Sequence, residues 1–167
     1  MPGNKEAVAA CRALLDSLTP LKSDCGAVCG GACCRSLEGE ETGMLLFPSE
    51  EVYYEGRPDY RIVPAELGKL LICSGRCERG DRPLSCRLFP LLPVLREDGV
   101  KVATDLRAGA VCPLAQRGRK AMDPAFVEAV RDCGRLLAED PAQRPFLEKL
   151  TAMQDDLKAL RQTFGGR

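Results

Sequence analysis

Apolar residues recur at helical spacing near the start of the chain. Val8, Cys11, Leu14, Leu15 and Leu18 fall on one face, which predicts a helix over about residues 4–18. Thr19-Pro20 marks its end, because a residue before proline is pushed out of the helical region. Cys11 lies on that apolar face, where the ordinary role of a cysteine is a small buried hydrophobe. From Lys22 to about Ala115 the helical period is lost, and the sequence is crowded with Gly, Pro and Cys between short apolar runs. Met44 to Phe47 predicts a strand stopped by Pro48, Ser49-Glu50-Glu51 opens a helical turn, and Lys69 to Cys73 predicts a second strand. Leu92 to Arg96 and Val100 to Thr104 flank Glu97-Asp98-Gly99, and Asp-Gly between apolar runs predicts a hairpin.

The last third reads as helical. Asp123-Pro124 supplies an N-cap followed by proline at the first helical position. Phe126, Val130, Cys133 and Leu137 then form a stripe, and Asp140-Pro141 restarts the pattern. Phe146, Leu150, Met153, Leu157, Leu160 and Phe164 alternate by four and three residues, like a short coiled-coil seam. That seam suits packing on the chain's own core, with a homodimer through the C-terminal helix as the other reading. The expected architecture is α+β with little sheet. An N-terminal helix (1–20) and a C-terminal helical segment (120–167) flank a loop-rich cysteine core with a short β-hairpin (21–115).

Composition narrows the partners. The 167 residues hold 24 Lys plus Arg and 24 Asp plus Glu, so a net charge of zero gives no reason to expect nucleic acid or an anionic membrane. No apolar run approaches the roughly 20 residues needed to span a bilayer. The N-terminus lacks the apolar stretch of a secretory signal, so a cytoplasmic location is expected. Ten cysteines stand out in such a compartment, where disulfides are rare and clustered thiols point to metal or redox chemistry. The chain has no histidine, which excludes histidine general-base chemistry and leaves thiolates as the main ligands.

Setting aside Cys11 and Cys133 on their apolar stripes leaves eight cysteines in three groups. They are Cys25, Cys29, Cys33 and Cys34; then Cys73, Cys77 and Cys86; then Cys112. Thiolates suit borderline-soft metals such as zinc and iron. Gly26, Gly30 and Gly31 allow the tight turns that closely spaced ligands require. Four thiolates around a divalent ion carry a net negative charge, so buried donors or countercharges are needed. Arg82 and Arg87, beside Pro83 and Cys86, are the best candidates to supply them. A disulfide framework and eight inert buried thiols both fit this pattern less well.

Cys25…Cys29…Cys33-Cys34, Cys77…Arg82-Pro83…Cys86-Arg87…Phe89-Pro90 and Cys112-Pro113-Leu114 together resemble the YkgJ-like cysteine-cluster proteins. These are also called the CxxCxxCC family of zinc- or iron-chelating domains. The resemblance covers about half the chain. Three residues, rather than two, separate Cys25 from Cys29 and Cys29 from Cys33. It implies that Cys25, Cys29, Cys33, Cys34, Cys73, Cys77, Cys86 and Cys112 are metal ligands. Glu50 follows a stretch like one of that family and is either a carboxylate serving the metal or a solvated acid at a helix start.

The expected function is therefore metal binding, with zinc or an iron–sulfur cluster as the cofactor. The alternative is an iron–sulfur redox protein, or a cluster-dependent oxidoreductase or protein-modifying enzyme. Radical chemistry with S-adenosylmethionine is disfavoured by the cysteine spacing. A structural metal would make the middle of the chain depend on it for folding, so that chelation unfolds about residues 21–115.

Overall fold

The computed structural model describes residues 5–22, 43–73 and 78–165. Helix α1 spans Glu6–Leu14, and strand β1 spans Gly43–Leu46. A 3₁₀ turn at Glu50–Tyr53 leads to β2 (Tyr60–Ala65) and β3 (Gly68–Cys73). A second 3₁₀ turn, Arg79–Asp81, precedes the short helix α2 (Leu84–Leu88) and the hairpin β4 (Leu91–Arg96) and β5 (Gly99–Thr104). The chain closes with α3 (Pro113–Arg117), α4 (Pro124–Glu139) and α5 (Arg144–Phe164). The class is α+β, with an N-terminal helix and C-terminal helices.

Local chemistry accounts for the sharpest boundaries. Gly99 adopts φ +120°, which lets β4 and β5 pair from Leu91↔Thr104 to Arg96↔Gly99. At the start of α4 the Asp123 carboxylate accepts from the Ala125 amide at 3.1 Å, with Pro124 in the first turn. Phe126, Val130, Cys133 and Leu137 on that helix are fully buried. The α4 helix lies hard against the hairpin at Gly134, where a Cβ would stand 2.5 Å from Val100 Cγ1 and 2.7 Å from Pro93 Cβ. α5 begins after a turn in which Asp140 accepts from the Ala142 amide at 2.8 Å. Its Thr151 hydroxyl accepts from the Leu95 amide, and its Gln154 side chain donates to Thr104 O and accepts from the Leu106 amide.

Several expectations need correction. α1 ends at Leu14, well before Thr19-Pro20. Leu15 leaves the helical range at ψ 2°, and it reaches the core from the turn that follows. Pro20 O accepts from the Asp123 amide at 2.7 Å, which ties that exit to the start of α4. The described part of the middle of the chain is more regular than its composition suggests. Its strands form a three-stranded antiparallel sheet of order β1-β3-β2 beside the two-stranded hairpin. β2 went unpredicted because Arg61 and Pro64 break its apolar pattern, and proline is tolerated there because β2 is an edge strand. The seam on α5 divides. Phe146 and Leu150 are buried in the chain's own core, whereas Leu160 and Phe164 are exposed.

The three-stranded sheet is apolar on both faces, and successive side chains point to opposite sides. Leu45 and Leu70 face the main core, which also takes residues from α1, α2, β4, α4 and α5. Phe47, just beyond β1, meets Phe146 edge-on, with ring centroids 5.0 Å apart. Leu46 and Leu71 face away, into a small second cluster closed by Tyr54 and flanked by Tyr60 and Ile62. Cys73 shares the parity of Leu71 and pairs in register with Tyr60, which places it on that second face.

Candidate metal centre

The support of the site begins at Phe47-Pro48-Ser49-Glu50. Ser49 has φ +72°, and among the described residues it is the sole non-glycine in the left-handed region. Glu50 follows, and its side chain is completely buried. This overturns the reading of a solvated acid at a helix start. Oε2 accepts from the Phe47 amide at 3.1 Å. Oε1 accepts from the Leu84 amide at 2.5 Å and from Arg12 Nη1 at 2.8 Å. Burial pushes the Glu50 carboxyl above its ordinary pKa, and the Leu84 amide and the Arg12 guanidinium work against that shift.

Arg12 comes from the last turn of α1. It also donates to Tyr54 Oη at 3.1 Å and to Gly80 O at 3.3 Å, and it lies 4.5 Å over the Tyr53 ring. Tyr54 in turn donates to Asp81 O at 2.7 Å. Burial raises the Tyr54 phenol above its usual range, Arg12 opposes the shift, and Glu50 and Cys86 add to it. The Tyr54 ring meets Tyr60 at 5.0 Å between centroids, and Tyr60 is the register partner of Cys73. Cys73 thus borders a tyrosine cluster on the second face of the sheet.

A second arginine closes the arrangement. Arg87 Nε donates to Arg82 O at 2.8 Å and Nη2 to Gly80 O at 2.8 Å. Nη1 reaches Arg12 O at 3.0 Å and Asp16 Oδ1 at 3.2 Å. These N–H groups hold backbone carbonyls of the chain around Gly80, a mechanical duty that the expected countercharge role did not include. Arg82 contributes its carbonyl to the same arrangement, with its side chain half-buried. Arg57 grips both carboxylate oxygens of Asp81, at 2.9 and 3.1 Å, and holds that carboxyl below its ordinary pKa.

The described cysteines fall into two kinds. Cys11 and Cys133 are fully buried, each donating weakly to the other's carbonyl oxygen, at 3.6 and 3.7 Å. The Cys11 side chain and burial push the Cys133 thiol well above its usual pKa. Cys73, Cys86 and Cys112 are in no disulfide and are of intermediate burial. Cys73 ends β3, Cys86 sits in α2, and Cys112 immediately precedes α3. Cys25, Cys29, Cys33, Cys34 and Cys77 lie outside the described residues. Among the described residues no three Cys, Asp or Glu side chains converge on one point. These three thiols fit zinc or iron in donor chemistry, and a four-thiolate centre built on them would draw ligands from the other five.

Sequence reasoning missed Arg12, Tyr54, Arg57 and Asp81. Arg12 fell on the polar flank of α1, and no local spacing joins it to Glu50, 38 residues away. Comparison with protein-family models, with curated proteins and with solved structures finds no match to the chain.

Proposed function

We propose that the protein binds zinc or an iron–sulfur cluster through the thiolates of Cys25, Cys29, Cys33, Cys34, Cys73, Cys77, Cys86 and Cys112. The observation that carries this reading is the division among the described thiols. The two cysteines with helical, apolar spacing are sealed in the core, and the three assigned to the site are unbridged and outside it. Connectivity adds support. Gly43, the first residue after the stretch holding four of the other thiols, pairs with Ile72, the neighbour of Cys73. The resemblance to YkgJ-like proteins points the same way.

Bound metal would supply charge neutralisation for thiolates or, as a cluster, electron transfer. The chain's own contribution is to hold donors in place. The apolar core of the described residues contains none of the eight proposed ligands. No helix among the described residues is long and apolar enough to cross a membrane. A cytoplasmic location completes the reading. The homodimer contact suggested by the C-terminal pattern belongs at the distal end of α5, and sedimentation equilibrium tests it.

The deciding experiment is metal analysis with absorption spectra after strictly anaerobic purification. The expected result is zinc or iron bound in stoichiometric amount. A colourless protein with ten titratable thiols, and no metal retained after reconstitution with either ion, would overturn the proposal.

A further inference from the structure

The segment between Cys77 and Cys86 is held far more tightly than a short connection needs. Gly80 O accepts from both Arg12 and Arg87. Asp81 O accepts from Tyr54, and the Asp81 carboxylate is gripped by Arg57. Arg82 O accepts from Arg87, and the Leu84 amide donates to Glu50. Side chains from α1, from the turn at Glu50–Tyr53, from Arg57 just beyond it and from α2 thus converge on five consecutive residues. Burying a carboxylate and two guanidinium groups to do so is costly, and apolar packing of the same volume often serves stability as well or better. Fixing a donor's geometry before its ligand arrives is what such a framework achieves.

We infer that Arg87, Arg12 and Glu50 are positioning residues that preset Cys86, and the chain leading to it from Gly80, for metal binding. The inference rests on the proposed function. Arg87 acts mainly through the placement of backbone carbonyls, since its N–H groups donate to Gly80, Arg82 and Arg12 carbonyls, with one further bond to the exposed Asp16 carboxylate. Lysine at this position keeps the charge and loses the planar fork that spans several acceptors.

The test uses reduced full-length protein and Co²⁺ as the probe, titrated anaerobically against a competing chelator and followed by thiolate charge-transfer absorption. Three proteins are compared: wild type, Arg87→Lys and Val130→Ala. Val130 is fully buried in α4 and serves as a control for general destabilisation. Arg87→Lys is expected to weaken cobalt binding by about 10-fold or more. Val130→Ala is expected to stay within about twofold of wild type, even where its urea midpoint falls as far. Hydrogen exchange on metal-free protein should speed up at the Leu84 amide in Arg87→Lys beyond its change in Val130→Ala. If Arg87→Lys does not fold, Glu50→Gln takes its place with the same expectation. Equal cobalt affinity in Arg87→Lys and Val130→Ala overturns the inference and leaves metal binding standing. Wild-type protein that binds no cobalt overturns both.

Discussion

Replacing Glu50 with alanine should be among the most damaging single changes in the described fold. The side chain has no exposure and accepts from three donors: the Phe47 amide, the Leu84 amide and Arg12 Nη1. Alanine leaves all three without that partner. A buried donor left unsatisfied costs about 1–3 kcal/mol, and breaking a buried ion pair from one side costs about 3–5 kcal/mol. These figures overlap, because Arg12 enters both. Arg12 also keeps Tyr54 and Gly80 as acceptors and retains 12% side-chain exposure, so water partly compensates it. The net expectation is a loss of about 3–5 kcal/mol, a large share of the roughly 5–15 kcal/mol that holds a domain folded. Urea unfolding at neutral pH measures it directly, with the slope checked for constancy. The cycle completed by Arg12→Met and the double variant should show coupling of about 1 kcal/mol or more, because the second deletion removes a group already stranded. A Glu50→Ala loss below about 1 kcal/mol, with additive effects in the cycle, would refute the claim that this carboxylate organises the junction of α1, β1 and α2.

Three further expectations follow from separate parts of the fold. Gly134→Ala should destabilise by about 1–3 kcal/mol through overpacking, although alanine is the better helix former by about 1 kcal/mol; a raised urea midpoint would show that α4 can retreat from Pro93 and Val100. In reduced, metal-stripped native protein, iodoacetamide should label Cys73, Cys86 and Cys112 and spare Cys11 and Cys133, and equal labelling of Cys133 by peptide mass spectrometry would contradict its burial. Arg96 holds the Asp155 carboxyl below its ordinary value of 3.8. Its contribution is therefore present above the unfolded value and disappears as pH falls through the lowered one, so Asp155→Asn should flatten the acid limb of the thermal midpoint against pH. Parallel limbs in the two proteins would count against it.

The parts of the fold legible in the sequence are those with a local cause. Asp123-Pro124 and Asp98-Gly99 carry their instructions within a few residues, and α4 and the hairpin begin and turn where those pairs stand. The burial of Cys11 and Cys133 was legible for the same reason, since each lies on a stripe of helical period. β2 was hidden because an edge strand tolerates Pro64 and half-exposed residues that a central strand would refuse. The α5 pattern was ambiguous because one repeating stripe does two things along its length, packing inward at Phe146 and facing solvent at Phe164. The charged framework was out of reach for a different reason. Arg12 meets Glu50 across 38 residues and Arg87 meets Arg12 O across 75, and no periodicity encodes such pairs. Of the eight thiols proposed as ligands, Cys73, Cys86 and Cys112 lie among the described residues, where they are less buried than Cys11 and Cys133.

The sheet acts as a dividing wall, and odd and even positions along β1 and β3 answer to different compartments. A change at Leu70 is felt by the helical interior, while a change one step on at Leu71 is felt beneath the tyrosines and Cys73. The chemistry on one side can thus be altered, residue by alternate residue, without rebuilding what keeps the rest of the molecule folded.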